Sequence, residues 1–111
     1  MNEFRGIVLY NIELNGNLNG VYTNDHPITN NRIFTETARP RDNETNVYDC
    51  FYFDAADGRV NCTLTFTITN GIYDAEWELE NGFIFRGRGF QMNDRQIAIS
   101  YWFNAIPPLS E

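Results

Sequence analysis

The chain of 111 residues has no lysine, one histidine, two serines and two cysteines, and each scarcity removes a class of function. All eight cations are arginine, set against fifteen acids, for a formal net charge of -7. No basic patch is available to neutralise phosphates, so nucleic acid and acidic membrane surfaces are not expected partners. Ser100 and Ser110 are the only serines, His26 is the only imidazole, and no Gly-x-Ser-x-Gly elbow occurs. A Ser-His-Asp hydrolase therefore has almost nothing to be built from. Two cysteines and one distant histidine fall short of a zinc set, and neither a metal nor a cofactor is expected. No window approaches the ~18 apolar residues of a membrane span. The opening Met1-Asn2-Glu3-Phe4-Arg5 lacks the basic start and apolar stretch of a secretory signal, so a soluble, cytoplasmic protein is expected.

What the chain does have is alternation. From Val60 to Thr69 every even position is apolar or cysteine and every odd one is Asn or Thr. Only a half-buried strand puts successive side chains on opposite faces in this way. Nine Phe, six Tyr and two Trp suit pleated surfaces and fill a core. Turn chemistry at Asn15-Gly16-Asn17, Asn70-Gly71, Asn81-Gly82 and Asn93-Asp94 helps divide the chain into about eight extended runs, because Asn and Gly accept the positive φ of tight hairpins. An all-β fold is expected, with residues 1–104 as one eight-stranded antiparallel up-and-down barrel and 105–111 as a tail. A two-sheet sandwich is the alternative. Registers that keep apolar faces together set Leu14 beside Leu18 and Tyr10 beside Tyr22 in the first hairpin. The same test sets Trp77 beside Phe85, with Glu76 and Asp74 meeting Arg86 and Arg88, in the hairpin through Glu80-Asn81-Gly82.

Several features invite a chemical reading and a plainer one. Cys50 and Cys62 flank the turn around Ala56 and sit opposite each other if that hairpin is symmetric, close enough for a disulfide. In a reducing compartment they remain buried thiols. Asp54 to Gly58 carries two carboxylates but lacks the alternating acids of a calcium loop, and reads as a hairpin turn. Glu76, Glu78 and Glu80 share one strand face, where a solvated, ion-paired surface is expected rather than an acid/base pair. Asp25 and His26 lie at a strand end and offer the only materials for a small isomerase or cyclase.

Gly87 and Gly89 lie on one face of a strand and remove side-chain volume from the wall. What fills that space depends on the phase of the last strand. A three-residue loop from Met92 to Asp94 turns Ile97, Ile99, Tyr101 and Phe103 inward over the glycines, giving a solid core. A two-residue Asn93-Asp94 loop turns Ala98, Ser100 and Trp102 inward and opens a pocket between Tyr73, Trp77, Phe85 and Trp102. It would also expose an apolar stripe from Ile97 to Phe103, implying homo-oligomers through the outer face of the last strands.

Gly20-Val21-Tyr22, Trp77, Phe85-Arg86-Gly87 and Trp102 resemble, at nearly the same spacing, motifs of the avidin-like, calycin-type barrels. The resemblance implies an aromatic-lined interior in which Tyr22, Tyr73, Trp77, Phe85 and Trp102 bind a small apolar or aromatic molecule without catalysis. Glu80 and Gly82 stand where the family has hydroxyl residues in its ligand loop, and no counterpart of the family's first strand is present, so biotin is not the expected ligand.

Overall fold

The computed structural model describes residues 3–27, 32–53 and 58–103. Eight strands follow in order: β1 (Phe4–Ile12), β2 (Leu18–Asn24), β3 (Phe34–Pro40), β4 (Val47–Phe53), β5 (Arg59–Thr69), β6 (Ile72–Leu79), β7 (Ile84–Asn93) and β8 (Gln96–Phe103). Each pairs antiparallel with the next, and β8 returns to pair with β1 from Phe4↔Phe103 to Asn11↔Gln96. This closure makes the fold a barrel and excludes the sandwich, while leaving no edge strand open to further pairing. Among the described residues there is no helix long and apolar enough to cross a membrane. The tail at 105–111 and the acidic positions of the Asp54 to Gly58 turn, 54 and 57, lie outside the described residues.

Hairpins through Asn-Gly set three of the registers. Asn70 and Gly71 both have positive φ, 53° and 80°, and close β5 onto β6 with two residues. Gly82, at φ 91°, ends the three-residue loop that sets Trp77↔Phe85, Glu76↔Arg86 and Asp74↔Arg88. The first hairpin uses the same device one position earlier than expected. Its loop is Leu14-Asn15-Gly16, with Gly16 at φ 89° and the Glu13 amide donating to the Asn17 carbonyl at 2.8 Å. Tyr10 therefore faces Gly20, Val8 faces Tyr22, and Leu14 projects from the turn 97% exposed. A slip of two residues preserves every inward and outward assignment, so alternation cannot detect it; the position of the left-handed glycine does.

The phase of β8 is that of the filled core. An Asp94-Arg95 turn and a bulge between Gln91 and Asn93 align Gly87↔Tyr101 and Gly89↔Ile99. Asn93 fixes the turn, its side chain accepting the Arg95 amide at 2.9 Å. Ile97, Ile99, Tyr101 and Phe103 are consequently buried inside, and the expected outward stripe does not form. Trp102 points out from the barrel wall, 39% exposed.

Candidate functional site

Two aromatic side chains shape the lumen by lying flat on glycines of the neighbouring strand. Tyr10 of β1 covers Gly20 of β2, whose Cβ, if present, would lie 2.8 Å from the Tyr10 ring. Tyr101 of β8 covers Gly6 of β1 in the same way. Each phenol thereby crosses one strand and reaches a polar group on the next. Tyr10 donates to the Glu36 carboxylate on β3, while the Tyr101 hydroxyl accepts from Asn24 Nδ2 at 3.0 Å and donates to the Thr23 carbonyl at 3.3 Å. Pairing a glycine with a cross-strand aromatic restores the contact that the missing side chain would have made.

Glu36 is the centre of the interior and the one charged residue buried among the described residues. Its Oε2 accepts from the Tyr10 hydroxyl, from Cys50 Sγ at 3.0 Å and from Trp77 Nε1 at 3.1 Å. The Trp77 N–H is shared with the Tyr10 oxygen, also at 3.1 Å. Burial raises the Glu36 pKa, and the three donated hydrogen bonds, which favour the carboxylate, oppose that rise without cancelling it. Burial and then the Glu36 charge push Tyr10 well upward, so the phenol stays protonated and keeps its role as donor.

Cys50 and Cys62 face each other directly on β4 and β5 as buried free thiols. Cys50 is pushed strongly upward, first by its hydrogen bond with Cys62 and then by burial. Neither thiol should react with a water-soluble disulfide reagent in the folded protein, and both should titrate after denaturation. Rapid reaction without denaturant would contradict the burial.

Above this cluster lies the end of the barrel where β1, β3, β5 and β7 begin. Tyr22, Tyr52, Tyr101, Phe34 and Phe85 gather there. Tyr22 stacks on Phe34 at 5.6 Å and meets Tyr52 edge-on at 5.8 Å; Tyr101 lies 6.4 Å from Tyr22 and 6.5 Å from Phe85. Burial also raises the pKa of Tyr52 and Tyr101, keeping both hydroxyls protonated. Tyr10, Tyr22, Tyr101 and Trp77 all commit their polar atoms to protein partners, Tyr22 donating to the Phe53 carbonyl at 3.1 Å. Tyr52 is half-buried, and its hydroxyl, which shares the face of Glu36, its neighbour in register, has no such partner among the described residues and is open to solvent.

The residues singled out from sequence are thus only partly brought together. Tyr22, Trp77 and Phe85 meet around Tyr101. Tyr73 sits at the opposite end, against Phe66 at 5.1 Å, with its hydroxyl bonded to Gln91 at 3.1 Å. Four residues of strand separate it from Trp77, roughly 13 Å. Trp102 is outside the lumen altogether, corrected by the bulge before Asn93. The space beside Gly87 is occupied, since a Cβ there would lie 2.7 Å from Ile99 Cγ2 and 3.1 Å from the Trp77 ring. Asp25 and His26 line the rim of the same end, where Asp25 accepts the Arg5 amide at 2.8 Å and His26 packs edge-on to Phe4 at 5.4 Å. Glu36 went unnoticed in the sequence despite a readable signal, an acid in the apolar phase of Phe34-Thr35-Glu36-Thr37-Ala38.

An open depression of about 620 Å³ lies over β4 and β5, walled largely by outward side chains including Arg39, Arg41, Arg59, Glu78 and Glu80. Arg59 covers the Phe51 ring at 4.0 Å, and Arg41 pairs with Asp49 at 2.7 Å. Charges of both signs balance there, giving it no preference for an ionic ligand.

No known protein family, curated protein or solved structure matches this chain.

Proposed function

We propose that this barrel binds, without catalysis, a small ring-containing molecule with a hydrogen-bond acceptor, at the end walled by Tyr22, Tyr52, Tyr101, Phe34 and Phe85. The observation that carries this reading is the Tyr52 hydroxyl: on a half-buried ring, protonated, open to solvent and without a protein acceptor among the described residues. Half-buried aromatic walls with one convergent donor suit such a ligand. The reading retains the aromatic-lined interior implied by the avidin-like resemblance but moves the ligand away from Tyr73 and Trp102. Trp77, 5.7 Å from Tyr101, forms the floor. Absence of catalysis fits the Glu36 carboxylate, whose Oε2 already accepts three internal donors, and Asp25, which holds the Arg5 amide.

Titrating the protein with a panel of phenols, aryl ketones and aromatic carboxylates should quench or shift tryptophan emission saturably for at least one class. Tyr52→Phe keeps the ring and removes the donor, so affinity should fall about threefold to tenfold, as expected for one hydrogen bond. Unchanged emission across the panel, or a Tyr52→Phe protein that binds as well as wild type, would overturn the reading.

A filled-core interaction module is the second reading, favoured by the plugging of the glycine wall by Ile99 and Trp77. It expects no saturable ligand, with function residing on the outer wall.

A further inference from the structure

The outer wall formed by β7, β8, β1 and β2 differs from the rest of the surface. Following the ladders, Phe90, Ala98, Leu9 and Val21 form one outward row across these four strands, continued by Ile72 on β6. Phe90 is 58% exposed, and Ile7, in the adjacent row, is 56% exposed. The outward positions of the four strands include Arg5, Arg86 and Arg88 but no acid, in a chain with fifteen acids and eight arginines. Arg86 and Arg88 are paired with Glu76 and Asp74 of β6, at 3.2 Å each. The Arg5 side chain makes no ion pair or cation–π contact among the described residues.

We infer that this wall docks against the same wall of a second copy of the chain, about a two-fold axis running along the seam between β8 and β1. Such an axis exchanges the two columns of the seam, so each outward residue of β8 meets the residue that pairs with it on β1, now supplied by the other copy. Within one chain those pairs are Trp102↔Arg5, Ser100↔Ile7, Ala98↔Leu9 and Gln96↔Asn11. Between copies they become a guanidinium over an indole face, an apolar contact of Ala98 with Leu9, Ile7 set over Ser100, and a pair of amides, each made twice. The Arg5 side chain, without an ion pair among the described residues, gains the facing indole as a partner. Because the wall carries no acid, two chains of charge -7 meet there without setting acid against acid.

Four of eight strands span half the circumference of the barrel, so with strands ~4.8 Å apart and ~8 residues long the wall is ~12 Å across and roughly 300 Å² in projection. That falls below the roughly 800 Å² per partner of a standard interface, so the dimer is weak and concentration-dependent. Sedimentation equilibrium should show the average mass rising from 12.9 kDa toward twice that value between about 1 µM and 1 mM. Trp102 emission should shift to the blue over the same range as the indole is covered. Ala98→Arg buries an unpaired charge at the centre of the face and should weaken association at least 100-fold, with strand content by circular dichroism unchanged. Ser100→Glu should weaken it from a more exposed site, and Glu78→Arg, outside the four-strand wall, should leave it intact. A protein that stays monomeric throughout, or association that survives both Ala98→Arg and Ser100→Glu, would overturn the inference.

Discussion

Replacing Glu36 by alanine is expected to lower stability by about 2–4 kcal/mol, combining an orphaned buried donor with a cavity. Tyr10 has no solvent exposure and its hydroxyl would lose its acceptor, whereas Trp77 would keep the Tyr10 oxygen and Cys50 would keep Cys62. In a domain of this size the thermal midpoint should fall by roughly 10 °C. Glu36→Gln behaves differently, because a side-chain carbonyl can still accept from Tyr10 without a buried charge, while Trp77 keeps the Tyr10 oxygen. The pH dependence then separates charge from shape. A carboxyl whose pKa is raised by folding binds its proton more tightly in the native state, so its contribution is fully present below the unfolded value of about 4.3 and is lost as pH rises through the native pKa. Denaturant midpoints of wild type and Glu36→Gln should therefore diverge in favour of the glutamine protein as pH is raised from about 4 toward neutrality. Tyr10 and Cys50, the titratable hydrogen-bond partners of Glu36, are both raised and stay protonated across that window, so they do not blur the comparison. A difference that is flat with pH would mean that Glu36 titrates as an exposed acid does.

Glu36 also shows why the fold was more legible than the site. Strand identity rests on a two-residue period carried by many positions at once, and the barrel follows from turns short enough to make sequence neighbours sheet neighbours. Trp77↔Phe85 and Cys50↔Cys62 could be read in advance because the charge pairs Glu76↔Arg86 and Asp74↔Arg88, or the symmetry of a turn, discriminated between registers. The site depends on single residues that break the period. An acid in an apolar phase looks like a blemish on a strand until Tyr10, Trp77 and Cys50, from three other strands, are seen to converge on it. Tyr101 is similar: it lies seventy-seven residues from Asn24 in sequence, and it reaches that side chain only because β8 closes onto β1 and Gly6 leaves room for the ring to cross. Trp102 was misplaced because one bulge reverses the phase of everything after it, and bulges leave little trace in composition.

The glycines of β7 carry the second large effect, because here a missing side chain marks crowding rather than vacancy. An ideal Cβ on Gly89 would overlap the Ala98 carbonyl oxygen and lie 2.8 Å from the Ile99 Cα, both atoms of the β8 backbone. Backbone atoms in a ladder cannot rotate aside as a side chain can, so alanine at 89 must part β7 from β8 close to the bulge that sets the phase of the last strand. The expected cost exceeds about 3 kcal/mol, in the range reserved for specific structural damage. Gly71→Ala supplies the internal standard. A Cβ there meets nothing within 4 Å, and only the positive φ of 80° resists it, for about 1–2 kcal/mol. Denaturant unfolding of the two single variants should place Gly89→Ala far below Gly71→Ala, with Gly87→Ala also destabilised through its close approach to Ile99 and the Ser100 carbonyl. If Gly89→Ala were no worse than Gly71→Ala, β8 would not lie where the register Gly89↔Ile99 puts it, and the inward direction of Ile97, Ile99, Tyr101 and Phe103 would fall with it.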